Sequence, residues 1–505
     1  VSTPNTLRSV WVFGDQLNRN IGALKAAQPN THRVLIIESS GKIASRPWHI
    51  QRAHFLVTSM RRFALALEQE GFQVDYRKSP TMRQGVTDHI AEFSPTHIDV
   101  TEPNSYTARQ LVSSLGIQTT ASNQFLCHPT DFAKFAEGKK SMKMEDFYRW
   151  QRKRYEYLME GDKRDQPVGG QWNFDEDNRL PPPKTGHDRW PTPQVHTLDD
   201  IDQQVLNDLP KTVWGAKPTG LWATTREDAL ARLHYFVNEI LPTFGEHEDA
   251  MLESNWHLAH SLLSPYLNNG LLLPNEVLDA AAQVFSDGKV PINSAEGFIR
   301  QILGWREYIW NCYWRWMPDY AQLNHLQAHR PLPPLFTNPK KTQMKCMSTV
   351  LNGVNEHSYS HHIERLMVLG NFALITGTNP QQFTEWMWNS FIDAAEWVMV
   401  PNVIGMSLYA DGGMLATKPY ASGGAYIDRM SNHCKGCAYD RKKRMGDDAC
   451  PFTVLYWDFM MRHQDTFVKN PRIARQVRAA QQLSDIDTVQ QTAQSILQRL
   501  DAGQA

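Results

Sequence analysis

A parallel α/β domain followed by a larger all-helical one is the fold class that this 505-residue sequence predicts. Three observations carry it. Short β-rich runs alternate with helical patterns over residues 1–130. A Pro-, Gly- and Asp-rich segment follows, QPVGGQWNFDEDNRLPPPKTGHDRWPTP, which reads as a connector. Beyond Thr224 the chain reads as helix after helix, with no fixed-period repeat.

Candidate strands are Ser9–Phe13, Arg33–Glu38, Phe72–Arg77, His97–Thr101 and Ile117–Thr120. Between the second and third, Ala53, Leu56, Val57, Met60, Phe63, Ala64 and Leu67 recur at helical spacing and give one apolar face. That alternation predicts a doubly wound, Rossmann-like parallel sheet. Such sheets bind ligands where strands end in loops, here Gly14-Asp15-Gln16, Glu38-Ser39-Ser40 and Glu102-Pro103-Asn104. No GxGxxG follows a strand, so nothing supports a dinucleotide in this part.

The expected domains are residues 1–130, a connector over 131–214, and a helical domain over 215–505. Within the connector, Lys139, Lys140, Lys143, Arg149, Arg152, Lys153 and Arg154 are interrupted by Phe147, Tyr148 and Trp150. Composition alone favours a solvated linker there over nucleic-acid contact. Expected helices include Arg226–Leu241, Ala295–Trp316, Ser360–Thr376, Pro380–Asn389 and Asp485–Leu500.

Apolar residues make up 41 % of the chain, enough to fill proper cores. The net charge of −1 excludes a globally basic nucleic-acid binder but leaves room for a local basic groove. No stretch approaches the roughly 18 apolar residues of a membrane span, and the start lacks a basic, then apolar, leader. Six cysteines in this length are no disulfide scaffold. A cytoplasmic protein is expected.

Cys434-Lys-Gly-Cys437, twelve further residues and Cys450-Pro451 form the sharpest local pattern. A Cys-x-x-Cys turn presents two thiolates to one metal centre. Three ligands need a fourth, and Cys346, Cys312, Cys127 and His433 are the candidates, with Cys346 the expected one. Spacing does not separate structural zinc from an iron–sulfur cluster, although the Cys-Pro ending leans toward the cluster.

His260-Ser261-Leu262-Leu263-Ser264 places two hydroxyls three residues apart near a helix start. Such a start can hold phosphate or can simply be a cap. Gln301 and Arg306 stand polar among large apolar neighbours, and Ser360-His361-His362-Ile-Glu364-Arg365 carries adjacent histidines. Neighbours on a helix face about 100° apart, so the two imidazoles are not expected to enter one pocket at full reach.

Taken together, HSLLSPYL, the FIRQ…WRE segment, HHIERLMVLGNF and FIDAAEW…PNVIGM resemble the photolyase/cryptochrome family. The four cysteines make the chain similar to its iron–sulfur bacterial branch, the prokaryotic (6-4) photolyases. The resemblance implies an antenna-chromophore domain, a helical FAD-binding domain with a 4Fe-4S cluster on Cys346, Cys434, Cys437 and Cys450, and UV-damaged DNA as partner. It implies light-driven repair of (6-4) pyrimidine–pyrimidone photoproducts by an electron from reduced FAD; the alternative it leaves is a blue-light sensor that signals without repair.

By the same resemblance, His260, Ser261, Leu263 and Ser264 would hold FAD phosphates, with Gln301 and Arg306 nearby and Asn371, Asp393 and Asn402 along the ribityl and ring side. His362 would be the proton donor to the lesion, supported by His361, with Tyr420 lining the pocket and Asp175 and Arg179 approaching it. Asp175 and Asp249 would hold Mg²⁺. Asp15, Gln16 and Glu38 would surround an antenna pigment, 6,7-dimethyl-8-ribityllumazine. Trp386 would be the inner and Tyr426 the outer electron carrier. The chain is expected to act as a monomer.

The sequence also departs from the family. Met387 and Asn338 stand where relatives carry aromatics, Met399 replaces an acidic residue, and WRE lies one residue further along than in many relatives.

Overall fold

Five parallel strands form the N-terminal sheet in the computed structural model, which describes residues 7–139, 141–186 and 189–504. They are β1 (Arg8–Val12), β2 (His32–Ser39), β3 (Gln73–Ser79), β4 (Ile98–Thr101) and β5 (Thr119–Thr120). Their order is β3-β2-β1-β4-β5, with every neighbouring pair parallel. All five expected strands are present; β5 is the shortest, and its two exposed threonines make a blunt edge.

Both faces of the sheet are covered, as its nearly continuous apolar strands require. Val10, Val12, Val34 and Ile36 enter one core, and Trp11, Phe13, Leu35 and Ile37 enter the other. The helix Ile50–Gln69 covers the first face with Phe55, Met60, Ala64 and Leu67. That core runs on through Tyr148, Tyr266 and Phe298, so the sheet and part of the helical half are packed as one body. A second large core collects Trp386, Phe372, Cys346 and Phe452.

The basic stretch is not a solvated spacer. Residues Met144–Tyr155 form a helix with Phe147, Tyr148, Gln151 and Arg152 buried. Arg152 donates to the carbonyls of Tyr157, Leu158 and Trp172, and the Tyr148 hydroxyl donates to Glu296 at 2.8 Å. The linker expectation fails here because Phe147, Tyr148, Gln151 and Arg152 share a buried side of one helix. Lys140 lies outside the described residues. Arg149 and Lys153 remain on the surface, each against the Trp172 ring.

Several expected helices are interrupted. The 295–316 run divides into the helix Ile292–Ile299, a π-helical stretch Arg300–Arg306 and the helix Glu307–Trp316. Glu364–Gly370, Phe236–Ile240 and Pro401–Ser407 are also π-helical. A π turn accommodates one extra residue.

Candidate active site and metal centre

At the carboxyl edge of the sheet, strand order reverses between β1 and β4, the place where such sheets form a crevice. There a cavity of about 420 Å³ lies between sheet and helical half. Its walls include Asp15 after β1, Glu38 near the end of β2, Asn104 after β4, and Trp388 and Trp397 from the other side. Burial pushes the Asp15 carboxyl up, against the opposing pull of Lys42 and Asn104. Glu38 is already engaged: Arg61 donates to both of its oxygens at 3.0 and 2.9 Å, and Tyr76 donates as well. Gln16 does not reach the cavity wall; its amide donates to the Glu102 carbonyl at 2.9 Å.

The three histidines do meet, contrary to the helical-wheel expectation. His260 and His361 are stacked with ring centroids 4.4 Å apart, and His362 lies 5.3 Å from His260. They converge because His361 precedes the regular turns and because the His260 loop is bent into contact. Leu258 and Leu262, on either side of His260, have φ of +47° and +56°. Bulky residues rarely hold that left-handed conformation, and it concentrates at functional sites. His260 Nε2 and both His361 nitrogens are buried without a hydrogen-bond partner.

His362 differs from its neighbours: 48 % of its side chain is accessible, and it faces Asp249 at 3.7 Å. Burial in the pocket pulls its pKa down, but the Asp249 hydrogen bond and the charges of Glu248 and Asp249 prevail, so the net shift is upward. Glu248 is buried, receives the Gln301 amide at 2.9 Å, and is pushed up to about 7 by desolvation. Sequence reading missed Glu248, since a carboxylate in Glu-His-Glu-Asp reads as surface.

The remaining expected cofactor residues divide into distinct settings. Ser264 donates to Asp393 at 2.7 Å, and Arg365 pairs with the other Asp393 oxygen at 2.9 Å. Arg365 also donates to the Ser360 carbonyl and lies 4.2 Å over the Phe391 ring. It stood within the quoted histidine segment, yet nothing in its spacing marked it. Ser261 accepts from the Leu263 amide. Asn402 donates to the Val398 carbonyl within its own helix.

Asn371 exchanges hydrogen bonds with Ser422, which fixes the loop carrying Tyr420. Arg306 is a structural cross-link rather than a free ligand: it pairs with Glu307 and donates to the carbonyls of Gln124 and Leu267. The Mg²⁺ pair does not fit either. Arg300 and Arg179 occupy the two Asp175 oxygens, so that carboxylate is not free to meet a cation, while one Asp249 oxygen lies 3.7 Å from His362.

Trp386 is buried among Phe336, Phe383 and Phe391. Met387 is buried beside it in the helix Pro380–Ser390, and Asn338 caps a short 3₁₀ turn. Met399 is buried at 2 % exposure. Tyr426 packs against the same core as Trp386 without a ring contact to it, and burial, with the charge of Asp249, raises its hydroxyl pKa. Burial, aided by the Asp175 charge, does the same for Tyr420.

Cys346, Cys434, Cys437 and Cys450 line one small hollow with His433, Ile427 and Phe452. Cys346 starts the helix Lys345–His357, and Cys450 immediately precedes the helix Pro451–Arg462. Gly436, at φ +79°, allows the tight turn between Cys434 and Cys437. Burial, together with the charge of the other thiols, pushes Cys346 well up and Cys434 up to about 12. Four cysteines whose thiolates would repel one another in one hollow suit a cationic centre that reverses that cost. Among the described residues, no three His, Cys, Asp or Glu side chains are set to share one metal ion. Cys127 and Cys312 pack elsewhere, with Phe132 and Tyr308.

Residues 10–216 match the family described as deoxyribodipyrimidine photo-lyase-related protein. The chain is 40 % identical over 482 residues to the (6-4) photolyase of Agrobacterium fabrum, covering 92 % of this chain and 94 % of that protein. A bacterial class III photolyase from Agrobacterium tumefaciens shares the fold with a TM-score of 0.60 at 15 % identity, over 99 % of each chain. A Synechocystis cryptochrome shares it at 0.57 and 14 %, over 84 % of this chain and 88 % of that one. The structural likenesses speak for the fold, and the near full-length sequence likeness decides the kinship: the chain belongs to the photolyase family that includes the Agrobacterium (6-4) photolyase.

Proposed function

We propose that the protein repairs (6-4) pyrimidine–pyrimidone photoproducts in DNA under light, with His362 as the proton donor. One observation carries this reading: an accessible imidazole beside Asp249, backed by two stacked, buried histidines, the second of them 3.4 Å from Glu364. A raised pKa favours the protonated imidazole, the form an acid must have. Asp249 orients the ring, and Gln301 with Glu248 supports the wall behind it. Tyr420, steadied through Asn371 and Ser422, lines the entrance. No helix among the described residues is long and apolar enough to cross a membrane; a monomer acting in the cytoplasm accords with the reading.

The residues fit FAD. Buried polar atoms without partners are costly, about 1–3 kcal/mol each, and His260 and His361 present three of them at one place. His260, Ser261, Leu263, Ser264 and Asp393 would hold the cofactor, and light-excited reduced FAD would supply the electron. The interface cavity is of a size for a small pigment, so Asp15 and Glu38 would border a ribityllumazine antenna. Trp386 would carry electrons inward. The damaged pair must leave the stack to reach His362, and Arg149, Lys153 and Trp172 offer cations and a ring to the backbone.

The decisive test illuminates the reduced protein with an oligonucleotide carrying one (6-4) lesion. Restored pyrimidines under blue light are expected; none restored would overturn the repair reading.

The cysteine hollow would hold a 4Fe-4S cluster on Cys346, Cys434, Cys437 and Cys450. It joins the 434–450 loop to two helices, so its first task is to hold the fold. Cys346→Ser is expected to lose iron and lower the unfolding temperature. Full iron content in that variant would remove Cys346 as a ligand.

A further inference from the structure

The wall of the cysteine hollow contains one polar side chain that the fold leaves wholly unsatisfied. His433 has no exposed surface, and neither ring nitrogen has a hydrogen-bond partner. Its backbone is fixed, since its amide donates to the Ser431 hydroxyl and neighbouring Asn432 accepts from the Glu253 amide. The ring is therefore held at the hollow rather than left there by a loose loop. Native proteins seldom bury such a group without a use for it.

The other polar groups of that wall have work or access elsewhere. Arg441 pairs with Asp428 at 2.7 Å, and Tyr439 is only partly buried. Met344, Ile427 and Phe452 are apolar. A neutral imidazole always carries one N–H, and the hollow that His433 lines offers four cysteine sulfurs as acceptors. Hydrogen bonds to sulfur stabilise the more negative state of an iron–sulfur centre and raise its potential.

We propose that His433 is a positioning residue of the metal centre: its ring N–H donates to a sulfur of the hollow, a cysteinate or a cluster sulfide, and so favours the reduced cluster. The proposal rests on the iron–sulfur reading given above. Glu364 lies 3.4 Å from His361 Nε2 and makes no hydrogen bond to His433.

The test uses the full holoprotein, and iron and labile sulfide are measured first. A wild-type chain without both would sink the cluster reading itself, whatever His433 does. With the cluster present, His433→Phe is expected to lower the reduced-to-oxidised ratio at a fixed poise about tenfold, equal to 59 mV for one electron. His433→Gln, which keeps an N–H, should restore part of the shift. An unmoved potential in His433→Phe overturns the proposal.

Should His433→Phe fail to assemble, the wild-type protein decides the matter alone. In ¹⁵N-histidine-labelled protein, the paramagnetic state of the cluster should show hyperfine coupling to one imidazole. No such coupling overturns the assignment.

Discussion

His362→Ala is expected to leave binding of lesion-bearing DNA in place while repair falls by about 10²–10⁴-fold, the usual contribution of a general acid. The binding surface lies elsewhere, whereas the proton has no second donor of comparable exposure: His361 is wholly buried. The pH profile sharpens the expectation. Because the folded pKa of His362 is raised, the acid form persists below that pKa, and repair should decline as pH rises through it. Its ion pair with Asp249 stabilises the fold over the same range and is lost in the same direction. In Asp249→Asn the raising influences weaken and burial gains, so the alkaline decline should move to lower pH. Repair by His362→Ala at the wild-type yield, or an unmoved profile in Asp249→Asn, would refute the assignment.

Arg365→Ala should be the most damaging single change to stability, about 3–5 kcal/mol. Its guanidinium and Asp393 are only 14 % and 7 % exposed, so removing one partner leaves a charge that water cannot reach. Ser264 alone would then face that carboxylate, with Arg52 at longer range. Arg365→Lys restores charge but neither the second donor to Ser360 nor the flat contact over Phe391. A urea midpoint series checks this: the alanine variant should fall furthest and lysine should lie between. The double variant Arg365→Met with Asp393→Asn should recover part of the loss, since the stranded charge is gone. A loss below about 1 kcal/mol in Arg365→Ala would mean that the pair behaves as a surface salt bridge.

Much of the fold was legible because burial writes periodicity into sequence. Val10, Val12, Val34 and Ile36 face one core and their neighbours the other, so the strands read correctly to within two residues at each end. The crevice at Asp15 and Asn104 followed from where the candidate strands end in loops. The cysteine set was legible too, since Cys434 and Cys437 are local and Cys346 needed only an unpaired thiol near them.

What escaped the sequence depended on long-range pairing. Glu248 gains its meaning from Gln301, 53 positions away, and Arg365 from Asp393. Arg306 and Asp175 have the right chemistry for ligands, but the fold uses that chemistry on Glu307 and on Arg300. The basic helix 144–155 misled because composition weighs its charges without seeing that Phe147, Tyr148 and Gln151 share a buried side.

The π-helical stretches have a bearing on which changes of length this chain tolerates. Each holds one residue more than an ordinary helix of the same rise. Arg300–Arg306 and Glu364–Gly370 sit beside Gln301 and His362. Deleting one residue from either would let the segment close into an ordinary helix, and the side chains beyond it, Tyr308 and Cys312 or Asn371 with its grip on Ser422, would keep their facing. The residues inside the bulge would change theirs, Gln301 in one segment and Glu364 in the other. A single-residue deletion there should therefore spare the core packing while it dismantles the wall of the site, whereas the same deletion in a regular helix turns everything beyond it by about 100°.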